Sequence, residues 1–223
     1  MQLRLSRKIL FYIFLIFFLS TLNNKYFSEI KFKTIDEIMI VGLEGSEKQN
    51  LLSSLKLLNL RNIFFLDKFE IINKLETNKR IENYTIFKRY PSSIEIKIEK
   101  TNFLASTNIN GKNYLVGSNG KFINTQGYSK NLPFVFGNFE IKKFLELKNI
   151  ILQTDFKYNK IKNFYYFPSG RWDIEMISGV LIKLPIIGIK DSLNLSIDLL
   201  DDIEFTNIKI LDIRQKNQIV IND

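Results

Sequence analysis

Apolar and polar residues alternate most regularly at Ile94, Ile96 and Ile98, which are interleaved with Glu95, Lys97 and Glu99. Successive strand side chains point to opposite faces, so the pattern predicts a strand with one face in a core and one in water. Upstream, Tyr84 to Phe87 is a second β-prone run, and Pro91-Ser92-Ser93 punctuates the two as a hairpin-like pair. Ile38-Met39-Ile40-Val41-Gly42 reads as an earlier strand closed by a glycine. Between them lie two helix patterns. Ser46 and Gln49 have capping-box spacing ahead of Leu51, Leu55 and Leu58 on one face. Asp67 and Glu70 repeat the N-cap and N3 spacing, Leu66 and Ile71 hold the positions of a hydrophobic staple, and Phe69, Ile72 and Leu75 are expected to face the sheet. The order is β-α-α-β-β, which pattern alone shares with any small α+β domain.

The stretch after Asn102 reads as a second, mostly antiparallel β domain. Asn110-Gly111 and Asn119-Gly120 bracket Tyr114-Leu115-Val116 and predict tight hairpin turns, because Asn-Gly accepts positive φ. Ile141 to Leu152 has helical spacing. Lys162 to Phe167, Arg171 to Ile177 and Val180 to Leu184 then form a meander, with Trp172, Ile174 and Met176 on its inner face. Trp172 is read as a core aromatic. Asp191 to Asp202 predicts a helix, Thr206 to Arg214 a penultimate strand, and Gln218 to Ile221 a final strand with no successor, hence a sheet edge. Val220→Pro is the substitution expected to remove a backbone donor from that edge.

In front of both domains, Ile9 to Leu22 is an uncharged run flanked by Arg4, Arg7 and Lys8 before it and Lys25 after it. It falls short of the roughly 20 residues that span a bilayer core, so Tyr26, Phe27 and snorkelling basic side chains would have to extend it over residues 9–27. A cleaved signal peptide is the alternative. No Ala-x-Ala-like site follows in Ser20-Thr21-Leu22-Asn23-Asn24, which favours a retained single-pass anchor with residues 1–8 in the cytoplasm and the bulk outside.

Composition narrows the chemistry. With no cysteine and no histidine among 223 residues, the chain has no disulfide framework, no thiol nucleophile and no imidazole base or ligand. No cofactor, metal or catalytic residue is expected. The net charge of +9 would suit nucleic acid, but the basic residues are spread through strands and helices rather than clustered beside stacking aromatics. The acidic cluster Asp201, Asp202 and Glu204 reads as a solvated helix end.

The order of parts resembles the FtsQ/DivIB family of cell-division proteins. The resemblance rests on Ile38 to Gly42, Asn62-Ile63-Phe64-Phe65-Leu66-Asp67, Arg89-Tyr90-Pro91 and its following strand, Tyr114 to Val116 with Gly120, Arg171-Trp172-Asp173-Ile174 with Gly179, and Leu211-Asp212-Ile213-Arg214. It implies an α+β protein with an N-terminal transmembrane helix, a POTRA domain over residues 34–101 and an FtsQ-type β domain over residues 102–223. It also implies a non-enzymatic scaffold of the cell inner membrane, periplasmic in its bulk and concentrated at the division septum, that links FtsB- and FtsL-like proteins and helps control septal peptidoglycan synthesis. On that reading the partner-binding residues are Arg214, Gln215, Asn217, Gln218, Ile219, Val220 and Ile221. Gly42, Arg89, Tyr90 and Pro91 form the POTRA motif, in which Arg89, Tyr90 and Pro91 are expected to position the strand connection rather than contact a partner. In the family the last strand often runs into a longer tail with an aromatic residue, whereas this sequence ends at Asp223, which implies a shorter partner site. Two other classes fit less of the chain: a POTRA-bearing secretion or outer-membrane assembly factor, which needs several POTRA repeats, and an anchored wall hydrolase, which needs a convergent catalytic constellation.

Overall fold

The alternation at Ile94, Ile96 and Ile98 forms strand β3 (Ser93–Lys100), in which Ile94 and Ile96 are fully buried. The computed structural model describes residues 6–22, 34–56, 58, 61–125, 131–201, 208–215 and 218–222. Strand β1 (Glu37–Val41) pairs with β3 in parallel, Ile38 opposite Ile94 and Ile40 opposite Ile96, and β2 (Ile81–Arg89) flanks β3 on its other side. Gly42 ends β1 at φ 97, a left-handed conformation that costs glycine nothing sterically.

The chain divides into two compact units, residues 1–71 with 86–97 and residues 72–85 with 98–223. In the first, helix α1 (Arg7–Leu22) is a 16-residue apolar segment, about 24 Å long at 1.5 Å per residue. No helix among the described residues is long and apolar enough to cross a membrane. The expected extension through Tyr26 and Phe27 lies outside the described residues. Helix α2 (Gly45–Leu55) buries Leu51 and Leu55, which with Leu58, Ile63, Leu66, Ile71, Ile40, Ile94 and Ile96 make the apolar interior of this unit. Its N-cap is Glu44, without a side-chain capping bond, so the expected cap Ser46 is the second residue of the helix. Helix α3 (Lys68–Glu76) begins as its sequence signals: Asp67 accepts a hydrogen bond from the Phe69 amide at 2.9 Å. Its buried residues are Ile71 and Leu75, and Phe69 is exposed rather than turned to the sheet. Residues at i and i+4 share a helix face, and Phe69 is two positions before Ile71, on the opposite side.

The second unit holds a nine-stranded sheet in the order β12-β11-β10-β9-β8-β7-β4-β5-β6. Strands β4 (Phe103–Ile109), β5 (Lys112–Gly117) and β6 (Phe122–Asn124) form the first meander. Asn110 and Gly111 both take positive φ at its first turn, as their sequence predicts. Strands β8 (Ile161–Tyr166), β9 (Trp172–Met176) and β10 (Leu181–Lys183) form the second. The short β7 (Phe134–Phe136) joins the two, parallel to both β4 and β8. Helix α4 (Ile141–Leu152) carries the chain from β7 to β8, and α5 (Ile189–Asp201) carries it from β10 to the parallel β11 (Ile210–Gln215). Parallel neighbours need such crossovers. Both helices contribute to one cluster, where Phe144, Leu147 and Ile151 of α4 and Leu193 of α5 join Phe164, Trp172, Ile174, Met176, Ile182 and Leu211 of the sheet. Trp172 sits among rings, 4.6 Å from Tyr166 and 5.9 Å from Phe139 between centroids, the core role expected for it. Strand β12 (Gln218–Asn222) pairs only with β11 among the described residues and closes the sheet as its outer strand.

Candidate functional site: an open sheet edge and its groove

The outer position of β12 matters through the direction of its backbone groups. The Asn222 carbonyl accepts from the Lys209 amide at 3.0 Å and thus turns toward β11. Backbone groups alternate sides along a strand, so Asn222, Val220 and Gln218 address β11 while Ile219 and Ile221 present their N–H and C=O to the open side. The Val220 N–H therefore belongs to the internal ladder, and the expected use of Val220→Pro as an edge probe does not hold. The edge donors are those of Ile219 and Ile221.

Side chains alternate as well. Val220 lies opposite Asp212, on the sheet face away from the core, whereas Ile221 lies opposite the fully buried Leu211 and packs against the core cluster. Ile219 therefore shares the helix-side face with Ile221. The register shifts between the pairs Asp212–Val220 and Gln215–Gln218, so Ile213 and Arg214 together oppose Ile219. This is a β-bulge, which increases twist and re-aims side chains beside an edge.

Beside the bulge opens a groove of about 760 Å³, lined by Pro185, Ile187, Gly188, Asp191, Ser192, Leu195, Ile213, Arg214, Gln215, Gln218 and Ile219. Its apolar wall is exposed: Ile187 by 87%, Ile219 by 39% and Leu195 by 39%. Val220 adds a 52% exposed side chain on the other face of the strand. An open edge with an apolar groove on one side has the two parts that strand addition uses, backbone bonds for affinity and pockets for alternate side chains. Of the residues expected here, Arg214, Gln215, Gln218, Ile219, Val220 and Ile221 gather at this edge, and Asn217 lies outside the described residues. The Pro185-Ile186-Ile187-Gly188 loop and Leu195 escaped the sequence reading. Their signal was two adjacent isoleucines between a proline and a glycine, too short for a core strand.

Charges near the edge are satisfied by one another. Arg214 donates from Nη2 to Asp212 Oδ2 at 2.6 Å and from Nε to Oδ1 at 2.8 Å, which holds the Asp212 carboxyl below its ordinary range. Lys183 lies opposite both Asp212 and Asp173 in register. Burial pushes Asp173 up, against the pull of Arg171, whose Nε donates to it at 3.0 Å. On β9, Glu175 accepts from Lys162 at 2.8 Å, Tyr165 at 2.6 Å and Asn163 at 2.8 Å, and these bonds hold it down to about 2. Among the described residues no group of three or more acidic side chains is placed to hold a metal.

In the first unit, Arg89 donates to Glu95 Oε2 from Nε and Nη2 at 2.9 and 2.6 Å, spanning the connection that contains the cis Tyr90-Pro91 bond. Gly42 stands at the other end of the sheet's first strand. In the second unit, Glu82 Oε2 accepts from Thr101 at 2.8 Å and Ser118 at 2.7 Å, while Asn119 Nδ2 donates to the carbonyls of Lys79 and Ile81, each at 2.9 Å.

A β-α-α-β-β module followed by a mostly antiparallel sheet whose last strand is an outer strand defines the two-module class to which this fold belongs. The sequence profile described as POTRA domain, FtsQ-type, matches residues 33–100, and that described as Cell division protein FtsQ/DivIB, C-terminal, matches residues 105–214. The chain is similar to Cell division protein FtsQ of Rickettsia bellii, 29% identical over 202 residues covering 87% of this chain and 73% of that one. It is likewise 29% identical over 242 residues to Cell division protein FtsQ of Rickettsia felis, covering 97% of this chain and 86% of the other. Cell division protein DivIB of Clostridium botulinum is 26% identical over 132 residues, 59% of this chain and 50% of that protein. The chain belongs to the FtsQ/DivIB family of cell division proteins.

Proposed function

We propose that this chain is a non-enzymatic scaffold of the division complex, required for septum formation, that captures FtsB- and FtsL-like membrane proteins by adding a segment of a partner to β12. The observation that carries the reading is the outward backbone of Ile219 and Ile221 on an outer strand, beside an exposed apolar groove. An incoming strand would bond to those two residues, and every second side chain of it would fall on the Ile187–Leu195–Ile219 side. The scaffold reading is supported by how the charges are used: Arg214 on Asp212, Arg171 on Asp173 and Lys162 on Glu175, each paired rather than converging on a cavity. By holding partners at the septum the chain would help control septal peptidoglycan synthesis.

The apolar α1 would serve as a single-pass type II anchor in the cell inner membrane, with residues 1–8 cytoplasmic and both modules periplasmic. Its basic residues, Arg7 and Lys8 in the first turn and Lys25 after it, suit the headgroup regions. A photo-crosslinking residue placed at Ile219 in the full-length protein tests the edge. Capture of FtsB- or FtsL-like proteins in dividing cells is expected, and capture from the Lys162 position in place of Ile219 would move the site to another surface.

A further inference from the structure

The turn that leads into α3 exposes adjacent aromatics. Phe64 is 52% and Phe65 79% exposed, and Tyr90 is exposed with its ring 4.9 Å from that of Phe64. Scattered exposed apolar residues are ordinary, but a contiguous aromatic group marks a contact surface. At the same turn Lys88 Nζ donates to the Leu66 carbonyl at 2.8 Å, while Arg61 is neutralised by Glu70 at 2.9 Å.

The position of this turn says what covers it. Thr34 forms an isolated bridge with Asn62, and the Ile35 amide donates to the Arg61 carbonyl at 3.0 Å. The turn is thereby stitched to the residues through which the chain enters the module from the α1 side. Residues 23–33 separate Leu22 from Thr34, a tether of at most about 43 Å, and they carry Lys25, Lys31 and Lys33 against Glu29. Aromatic rings at headgroup depth with lysine and arginine around them are the composition of membrane-interface contacts, and the basic residues favour anionic lipid.

We propose that the turn at Asn62–Phe65 docks on the surface of the bilayer that α1 enters, with Phe64, Phe65 and Tyr90 at headgroup depth and Lys88 toward anionic headgroups. This rests on the anchoring read above for α1. Docking would fix the height and orientation of the first module over the membrane, a second attachment besides the covalent tether.

The chain has no cysteine, so Phe65→Cys provides a unique site for a polarity-sensitive label on the full-length protein. Phe17→Cys, on α1, reports insertion of the anchor. In proteoliposomes of phosphatidylcholine and phosphatidylglycerol with brominated acyl chains, both labels should be quenched, and Phe64→Asp should relieve quenching at position 65 at least twofold while leaving position 17 unchanged. Quenching at position 17 with water-like emission at position 65 overturns the proposal and spares the anchor. Quenching at neither position removes the anchor and the proposal together. Burial of the label at position 65 that disappears on dilution into excess lipid would show a second copy covering the turn, and also overturns it.

Discussion

Arg214 folds back on Asp212, two residues before it, with contacts of 2.6 and 2.8 Å to the two carboxylate oxygens. The pair lies on the bulged stretch of β11 opposite the edge strand, where Asp212 faces Val220 in register. The bulge supplies the extra residue, and the pair holds the arginine beside the carboxylate.

Because the Arg214 bonds are the first cause of the lowered Asp212 pKa, Arg214→Ala should raise it toward the ordinary carboxylate value. Carbon-detected NMR titration of the Asp212 carboxyl group checks this. Global stability should change little, since the Arg214 side chain is exposed to solvent that screens the pair.

Glu175 sets an acid limit on the sheet. Its pKa is held at about 2, below the ordinary value for glutamate, so its contribution is complete at neutral pH and is lost as pH falls from the unfolded value through the folded one. Glu175→Gln should lower thermal stability at pH 7 by the equivalent of about 1–3 kcal/mol, the worth of hydrogen bonds to a charged group. Thermal melts between pH 7 and pH 2 should show the difference from wild type shrinking as the carboxylate of the native protein protonates.

Ile96 is fully buried on β3, while Glu95 beside it points to the opposite face and pairs with Arg89. Ile96→Asp should unfold the first unit, since an unpartnered carboxylate in that interior costs several kcal/mol, about 3 or more. Glu95→Lys should leave it folded. Equal melting of the two variants by circular dichroism would show the strand register to be wrong.

Asn119 illustrates what the sequence shows and what it hides. Asn119-Gly120 reads as a turn, and a turn stands there, but the Asn119 amide also donates to two carbonyls nearly forty residues away. Local conformational preference is written in neighbouring residues; a long-range bond is not. Asn119→Asp, which removes the donors and leaves the Lys79 and Ile81 carbonyls facing a carboxylate, should cost about 1–3 kcal/mol, measurable by urea unfolding. The same division runs through the fold. Ile94 and Ile96, Trp172 and Ile174, and the Asp67 cap were legible because burial on one face or one helix end imposes a period or a spacing. Phe69 was misread because the hydrophobic stripe of so short a helix is ambiguous until its packing partner is known. Strand β7, three residues long, has no period at all, so its parallel pairing with β4 and β8 could not be read. At the edge, β12 was legible from its place in the order of strands. The alternation that assigns the open donors to Ile219 rather than Val220 became visible only with the Lys209–Asn222 bond.

That assignment supports the most direct test of the central claim. Ile219→Pro removes a donor from the open side of β12, and Val220→Pro removes one from the ladder to β11. Full-length variants should be used to capture proteins from solubilised membranes, with folding followed by circular dichroism and with Ile219→Ala as the side-chain control. If partner segments add to this edge, Ile219→Pro stays folded and loses FtsB- and FtsL-like proteins, Ile219→Ala keeps the backbone donor and retains part of the capture, and Val220→Pro melts at lower temperature. Wild-type capture by a folded Ile219→Pro protein would contradict the account and place the partner surface elsewhere.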